Sequence, residues 1–222
     1  MKDFADAKGN QYLLTELRGV NAAEKGFVPA KTVKEAEAWV KSGLGITADY
    51  SKIKDVQMCN ALNKELQELS AKTNGFIMKD PALGGSQYKG VRKITTFTTK
   101  SSQLADYRLG EIRLNSTYFE SMDAFAENIK KYKFSSFVNH PVKALDHEIG
   151  HAYGMNWHGK TGSLYKKGEK VYKELEHDVL SRYAMTNSAE LVAESFSAYV
   201  NYGKLPESLN GLLPIFKEIL GQ

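Results

Sequence analysis

Two histidines and a glutamate lie within five consecutive residues, and side chains of these types bind zinc in many hydrolases. The five residues are His147-Glu148-Ile149-Gly150-His151, which form the pattern HExxH. Residues four apart lie one helical turn apart on the same face, so both imidazoles can reach one metal ion. Glu148 projects beside them, close enough to take a proton from a metal-bound water. The spacing predicts a zinc site with Glu148 as the general base.

The flanking residues favour this interpretation over that of hydrogen-bonded surface histidines. Within residues 141–154, Pro141 suits the first helical turn and Gly154 suits the end of a helix. Five apolar side chains could bury one face of that helix: Ala144, Leu145, Ile149, Ala152 and Tyr153. A buried helix that carries two histidines and a glutamate needs a compensating partner, which a metal ion would supply.

A catalytic zinc ion normally takes a third protein ligand and leaves its fourth position to water. The first candidate is His158. The extended pattern HExxHxxGxxH is matched at Gly154, but its last histidine would be residue 157, which is Trp157. A shift of one residue after a tight turn points the side chain elsewhere, so His158 is instead interpreted as a loop residue near the cleft.

The other two candidates are Glu190 and Glu194, which are four residues apart and therefore share one face of a predicted helix over residues 186–196. Glu190 could instead complete a capping box with Asn187 while Glu194 is solvated. Two carboxylates on an otherwise apolar helix make that alternative less attractive. The preferred assignment places Glu190 on zinc. Glu194 would then orient a ligand imidazole through its other nitrogen.

Residues 147–152 and 183–196 together resemble the catalytic domain of anthrax lethal factor and its relatives, which include the secreted Pro-Pro endopeptidases of clostridia. These proteins are gluzincins. In that family a tyrosine seven positions before the glutamate ligand assists at the scissile carbonyl, and Tyr183 stands seven positions before Glu190. The resemblance therefore implies that Tyr183 donates a hydrogen bond to the oxyanion. It also implies that a strand over residues 107–114 borders the cleft and aligns an extended substrate.

A second resemblance concerns the context of the protein and not its chemistry. Residues 27–37 are similar to sequences of phage minor head proteins and prophage-borne effector domains. This similarity implies a phage or prophage origin, with phage structural proteins as candidate partners.

The elements expected to position the site begin with helices. Thr32 and Glu35 form a capping box that opens a helix through Trp39, and Gly43 stands where a C-terminal glycine is expected. A longer amphipathic helix that ends near Gly75 follows, because apolar residues recur every three or four positions. These residues are Ile53, Val56, Cys59, Leu62, Leu66 and Leu69.

Residues 84–115 are rich in β-branched and aromatic side chains, and their alternation predicts two or three strands, notably over residues 91–99 and 107–114. Helical spacing then returns with Met122, Phe125, Ile129 and Tyr132. The order of helices, sheet and helices predicts an α+β fold. Together with the resemblance, it predicts a zincin-like metallopeptidase domain with a small mixed sheet and an HExxH active-site helix. We expect a helical N-terminal part, residues 1–80, packed on a catalytic part, residues 81–222.

The composition limits the remaining function classes. The 222 residues are 42% hydrophobic, which suits a folded chain with a substantial core. The 30 basic and 26 acidic residues are interspersed and give a formal charge of +4, which argues against dedicated nucleic-acid binding. The only cysteine, Cys59, is interpreted as a buried thiol, so no disulfide framework is expected.

Localisation is predicted from what the sequence lacks. Residues 1–6 do not have the basic and apolar regions of a signal peptide, and no run of about 18 apolar residues occurs. We therefore expect no membrane partner and a location in the cytoplasm or in a virion.

The sequence favours a zinc metalloendopeptidase that hydrolyses an extended protein or peptide substrate. One alternative is a phage minor head or structural protein that keeps a zincin fold for assembly. Another is a regulatory peptidase of mobile elements that cleaves a repressor in the cytoplasm by the same chemistry. The first alternative needs another explanation for the presence of all four residues His147, Glu148, His151 and Glu190.

Overall fold

A computed structural model describes residues 27–80, 86–132, 140–175 and 179–222, together with two short antiparallel strands, β1 (Phe4–Ala5) and β2 (Gln11–Tyr12). The signal-peptide prediction concerned residues 1–6, most of which lie outside the described residues.

The two predicted N-terminal helices are present. Helix α1 (Val33–Leu44) begins after Thr32, whose hydroxyl accepts a hydrogen bond from the Glu35 amide at 3.2 Å. The helix continues past Trp39 and ends at Gly45, which has a φ of 61°. The prediction that Gly43 ends the helix was therefore wrong, because Gly45 adopts the left-handed conformation that glycine favours at a C-terminus.

Helix α2 (Val56–Lys72) begins after Asp55, whose carboxylate accepts a hydrogen bond from the Gln57 amide at 2.8 Å. Cys59, Leu62, Leu66 and Leu69 on its apolar face are fully buried, as predicted for the Cys59 thiol. Burial raises the pKa of the Cys59 thiol to about 12, which leaves it protonated and unreactive at neutral pH.

Six strands follow the first helices: β3 (Thr47–Ala48), β4 (Ile77–Asp80), β5 (Ser86–Lys89), β6 (Lys93–Phe97), β7 (Ala105–Arg108) and β8 (Glu111–Asn115). The central sheet contains four of them in the order β3-β6-β8-β7, and β3, β6 and β8 run parallel while β7 is antiparallel to β8. Strands β4 and β5 form a separate antiparallel pair, with one strand on each side of the predicted boundary at residue 80. The expected small mixed sheet is therefore present.

The strand predictions need two corrections. The part of residues 84–115 that the structure describes, residues 86–115, contains four strands, more than the two or three expected, and the single strand predicted over residues 107–114 is the β7–β8 hairpin. Its turn residues, Leu109 and Gly110, have φ angles of 47° and 89°. The turn was missed because an apolar residue occupies it: Leu109 continues the apolar pattern in sequence but is 90% exposed.

Helices predominate among the described residues after β8. The elements in this part are α3 (Ser116–Phe119), α4 (Met122–Tyr132), α5 (Pro141–Asn156), β9 (His158–Gly159), β10 (Gly162–Ser163), α6 (Leu164–Glu174), α7 (Ser188–Tyr202), a 3₁₀ helix (Glu207–Leu212) and α8 (Leu213–Ile219). Helix α4 agrees with the predicted spacing, and helix α5 continues past Gly154, where it was predicted to end, to stop before Trp157.

The chain combines helices with a small mixed sheet whose strand β3 lies between α1 and α2, so it is a mixed α/β structure compatible with the predicted α+β class. Helices α5 and α7 pack along each other in the core, with α2, α6 and the sheet around them. None of the helices that the structure describes combines the length and hydrophobicity needed to cross a bilayer.

Candidate metal centre

Helix α5 places the HExxH residues in the interior of the protein. The His140 side chain caps the helix by accepting a hydrogen bond from the Val142 amide at 3.1 Å, and Pro141 occupies the first turn. His147 and Glu148 are 5% and 6% exposed. Two ionisable side chains at this depth need charged or hydrogen-bonding partners to offset the loss of hydration.

Helix α7 supplies the first of these partners at its N-terminus. Asn187 caps the helix, and its side-chain oxygen accepts hydrogen bonds from the amides of Ala189 at 2.9 Å and Glu190 at 3.0 Å. The Glu190 carboxylate contacts both His147 and His151. The capping role of Glu190 that the sequence left open is thus not the main use of its side chain.

The two helices approach so closely because glycine occupies the crossing. A Cβ atom at Gly150 would lie 2.8 Å from Cα of Ala193 and 3.0 Å from its carbonyl oxygen. Both distances are below van der Waals contact, and the obstructing atoms belong to the backbone. Gly150 therefore fixes the separation at which Glu190 reaches the histidines.

Replacing Gly150 with alanine is expected to destabilise the protein by about 1–3 kcal/mol, the usual cost of overpacking, and to weaken metal binding. The added methyl group must push α7, and with it Glu190, away from α5. Gly43→Ala is the matched control, because Gly43 lies within α1 and the nearest atoms to its added Cβ are 3.9 Å away. That control should gain up to about 1 kcal/mol from helix propensity.

Thermal unfolding with a chelator present and metal titration would measure both effects. Similar stability and metal affinity for the two glycine variants would show that the helix crossing tolerates a side chain, contrary to the close approach of the two backbones.

The three predicted ligands form a compact donor set. Nε2 of His147 lies 3.1 Å and Nε2 of His151 3.2 Å from the same Glu190 oxygen, Oε2. One potential ligand atom from each of the three residues lies within 4.8 Å of the others. Ligands about 2.0–2.1 Å from a tetrahedral zinc ion would be about 3.3 Å apart, which is close to the two distances between the imidazoles and the Glu190 oxygen. No other group of three His, Cys, Asp or Glu side chains with this spacing occurs among the described residues.

The charges in this cluster stabilise one another. Burial alone would raise the pKa of Glu190, but hydrogen bonds from His147 and His151 outweigh that effect and lower it to about 2. Burial likewise disfavours a charged His147, but hydrogen bonds to Glu190 and Glu194 raise its pKa to about 10. A divalent cation could replace the histidine protons and balance the negative charge of the same carboxylates.

Glu148 lies beside the ligands with its carboxylate available for proton transfer. Burial raises its pKa, although the two neighbouring imidazoles act in the opposite direction. Its Oε2 atom is buried and has no hydrogen-bond partner among the described residues. An uncompensated buried acceptor of this kind is available to receive a proton, as a general base requires.

Tyr183 approaches the site from the segment before α7. Its ring centroid is 5.9 Å from that of His147, and the side chain is partly exposed. Burial of the hydroxyl and the negative charges of Glu190 and Glu148 raise the pKa of Tyr183. The phenol therefore stays protonated and can donate a hydrogen bond to an oxyanion.

Glu194 lies behind His147, on the side away from the other donors. It is fully buried, and its Oε1 is 3.4 Å from Nδ1 of His147. Its Oε2 accepts a hydrogen bond from the hydroxyl of Ser181 at 2.9 Å. The solvated alternative for Glu194 is therefore wrong. Ser181 was not among the predicted residues, because an isolated serine in a loop has no spacing that reveals a partner.

His158 does not belong to the donor set. It is exposed in strand β9 and pairs with Ser163 of β10. The one-residue shift from the extended histidine pattern thus corresponds to a different position in space.

No protein-family model matches the chain, and none of the curated proteins matches its sequence. The site is therefore interpreted from its own geometry.

Proposed function

We propose that this chain is a zinc metalloendopeptidase of the gluzincin type, with a zincin-like arrangement of its α+β fold. The main support is the convergence of two helices on one donor set. Glu190 from α7 contacts both histidines of the HExxH pattern on α5. Beside them, Oε2 of Glu148 has no hydrogen-bond partner within the described part of the chain. The resemblance to lethal factor and the Pro-Pro endopeptidases agrees with this proposal and extends it to Tyr183.

The proposed reaction uses each residue according to its position. His147, His151 and Glu190 would hold zinc, which supplies a Lewis acid that polarises the scissile carbonyl and lowers the pKa of water. Glu148 accepts a proton from the attacking water and transfers it to the leaving amine nitrogen. The Tyr183 hydroxyl donates a hydrogen bond to the oxygen on which negative charge develops. Glu194 holds the ring of His147 in place.

An extended peptide is the substrate class that the surroundings favour. Strand β7 is an edge strand of the central sheet and lies against α5, the helix that carries the HExxH residues. An edge strand can align a peptide by backbone hydrogen bonds, which recognise any sequence in an extended conformation. We therefore propose that β7, and not the whole of residues 107–114, borders the cleft.

Purified protein is expected to contain about one zinc ion per chain, because two imidazoles and one carboxylate complete a three-ligand catalytic set. Elemental analysis measures this content, and digestion of a peptide library with and without chelator measures the activity. Cleavage that disappears with chelator and returns with added zinc would support the proposal.

Two other outcomes would contradict the proposal in different ways. A protein that binds no zinc at neutral pH removes the basis for the metal site. A protein that binds zinc but cleaves nothing in a broad library favours the alternative of a phage structural protein. If peptides are cleaved, identification of the natural substrate distinguishes a repressor-cleaving regulator from other peptidases.

A further inference from the structure

A buried serine connects the metal site to the segment that carries Tyr183. The Ser181 side chain is 1% exposed, and its hydroxyl donates a hydrogen bond to Glu194 Oε2 at 2.9 Å. The hydroxyl oxygen of Ser181 also accepts a hydrogen bond from the Ala184 amide at 3.0 Å. Ser181 therefore has one partner behind His147 and another in the residue that follows Tyr183.

The direction of these hydrogen bonds follows from the chemistry of the groups. The Ala184 amide can only donate, so the Ser181 oxygen accepts there, and its single proton is directed to Glu194. A carboxylate acts as an acceptor, so Glu194, whose Oε1 faces Nδ1 of His147 at 3.4 Å as an ion-pair contact, favours a proton on that nitrogen. With Nδ1 protonated, Nε2, which faces Glu190 at 3.1 Å, is the nitrogen whose lone pair would bind a metal ion in place of its hydrogen bond to Glu190.

The same serine restrains the segment that places Tyr183. Its bond to the Ala184 amide closes a turn in which Tyr183 is one of the two intervening residues. The Tyr183 carbonyl in turn accepts a hydrogen bond from the Thr186 amide at 3.0 Å, immediately before the cap of α7. The backbone of Tyr183 is thus held from both sides.

We infer that Ser181 is a positioning residue that holds the tautomer of His147 through Glu194 and the backbone of Tyr183 through Ala184. This inference rests on the proposed function. It assigns a role in metal affinity and in turnover to a side chain that touches neither zinc nor substrate.

Ser181→Ala tests the inference, with Ser195→Ala as its matched control. Ser195 is also fully buried and directly follows Glu194, but its hydroxyl has no hydrogen-bond partner among the described residues. We expect Ser181→Ala to weaken zinc binding about 10-fold, the lower end of the range for groups that orient a ligand, and Ser195→Ala to leave it unchanged. At saturating zinc, Ser181→Ala should lower kcat for a peptide substrate with little change in KM.

A double-mutant cycle with Glu194→Gln determines whether Ser181 acts through that carboxylate. In the Glu194→Gln background, Ser181→Ala should add little further loss of zinc affinity, because the two residues belong to one hydrogen-bonded chain. Additive losses would overturn the inference, as would equal zinc affinities for Ser181→Ala and Ser195→Ala. Zinc affinity is measured without turnover, so these results are distinct from failure of the proposed function, in which the parent itself binds no zinc or cleaves nothing.

Discussion

Replacing Glu148 with glutamine is expected to give a folded, zinc-loaded protein whose peptide cleavage is slower by about 10²- to 10⁴-fold, the usual contribution of a general base. Glutamine has nearly the size and shape of glutamate but cannot accept the proton of the attacking water. Glu148 is beside the donor set without being part of it, so zinc affinity should change little. Its buried carboxylate has a raised pKa, so the neutral amide should not lower the melting temperature.

Zinc content, melting temperature and cleavage of one peptide would be measured for the parent, Glu148→Gln and Tyr183→Phe. Loss of the Tyr183 hydroxyl removes one oxyanion donor and should slow cleavage by about 10²- to 10³-fold at constant zinc content. Neither change opens a large cavity, so all three proteins should melt at similar temperatures. Parental activity in Glu148→Gln would exclude this residue as the base.

The part of the site that could be predicted from the sequence is the part set by helix geometry. The four-residue spacing of His147 and His151 is sufficient to predict that the two rings are close, because one helical turn brings them together. Glu190 could be added because Asn187 shows where the second helix begins and Glu194 marks the same face. The meeting of the two helices still depends on Gly150, whose significance is visible only beside the backbone of Ala193.

Features that depend on distant contacts could not be obtained in the same way. Gly43 and Gly45 are both plausible helix ends in sequence, and only the conformation of the chain before strand β3 selects Gly45. Leu109 is an apolar residue of the kind expected in a strand, but it lies in a turn. Its carbonyl oxygen accepts a hydrogen bond there from the Arg92 side chain at 2.6 Å. The role of Ser181 can be inferred only from the structure, in which its hydroxyl contacts Glu194, thirteen residues later.

Replacing Glu190 with glutamine should weaken zinc binding by more than the roughly 100-fold that marks the upper range for groups behind the ligands. Glu190 Oε2 is shared by both imidazoles at 3.1 and 3.2 Å, so its charge is the one that a dication bound there would face. Glu194→Ala should cause a smaller loss, within about 10- to 100-fold. His158→Ala should leave zinc affinity unchanged, because His158 is exposed in β9.

The zinc-free protein provides an independent test of Glu190. Its pKa is about 2 in the folded chain against 4.5 in its ordinary state, so its stabilising effect is present above pH 4.5 and is lost as the pH falls toward 2. Glu190→Gln should therefore melt below the parent at pH 7 with chelator present, and the difference should shrink as the pH falls through this window. Equal melting temperatures at neutral pH would mean that Glu190 does not pair with the histidines in solution. If zinc affinity then fell for His158→Ala and not for Glu190→Gln, the ligand set would be that of the extended histidine pattern.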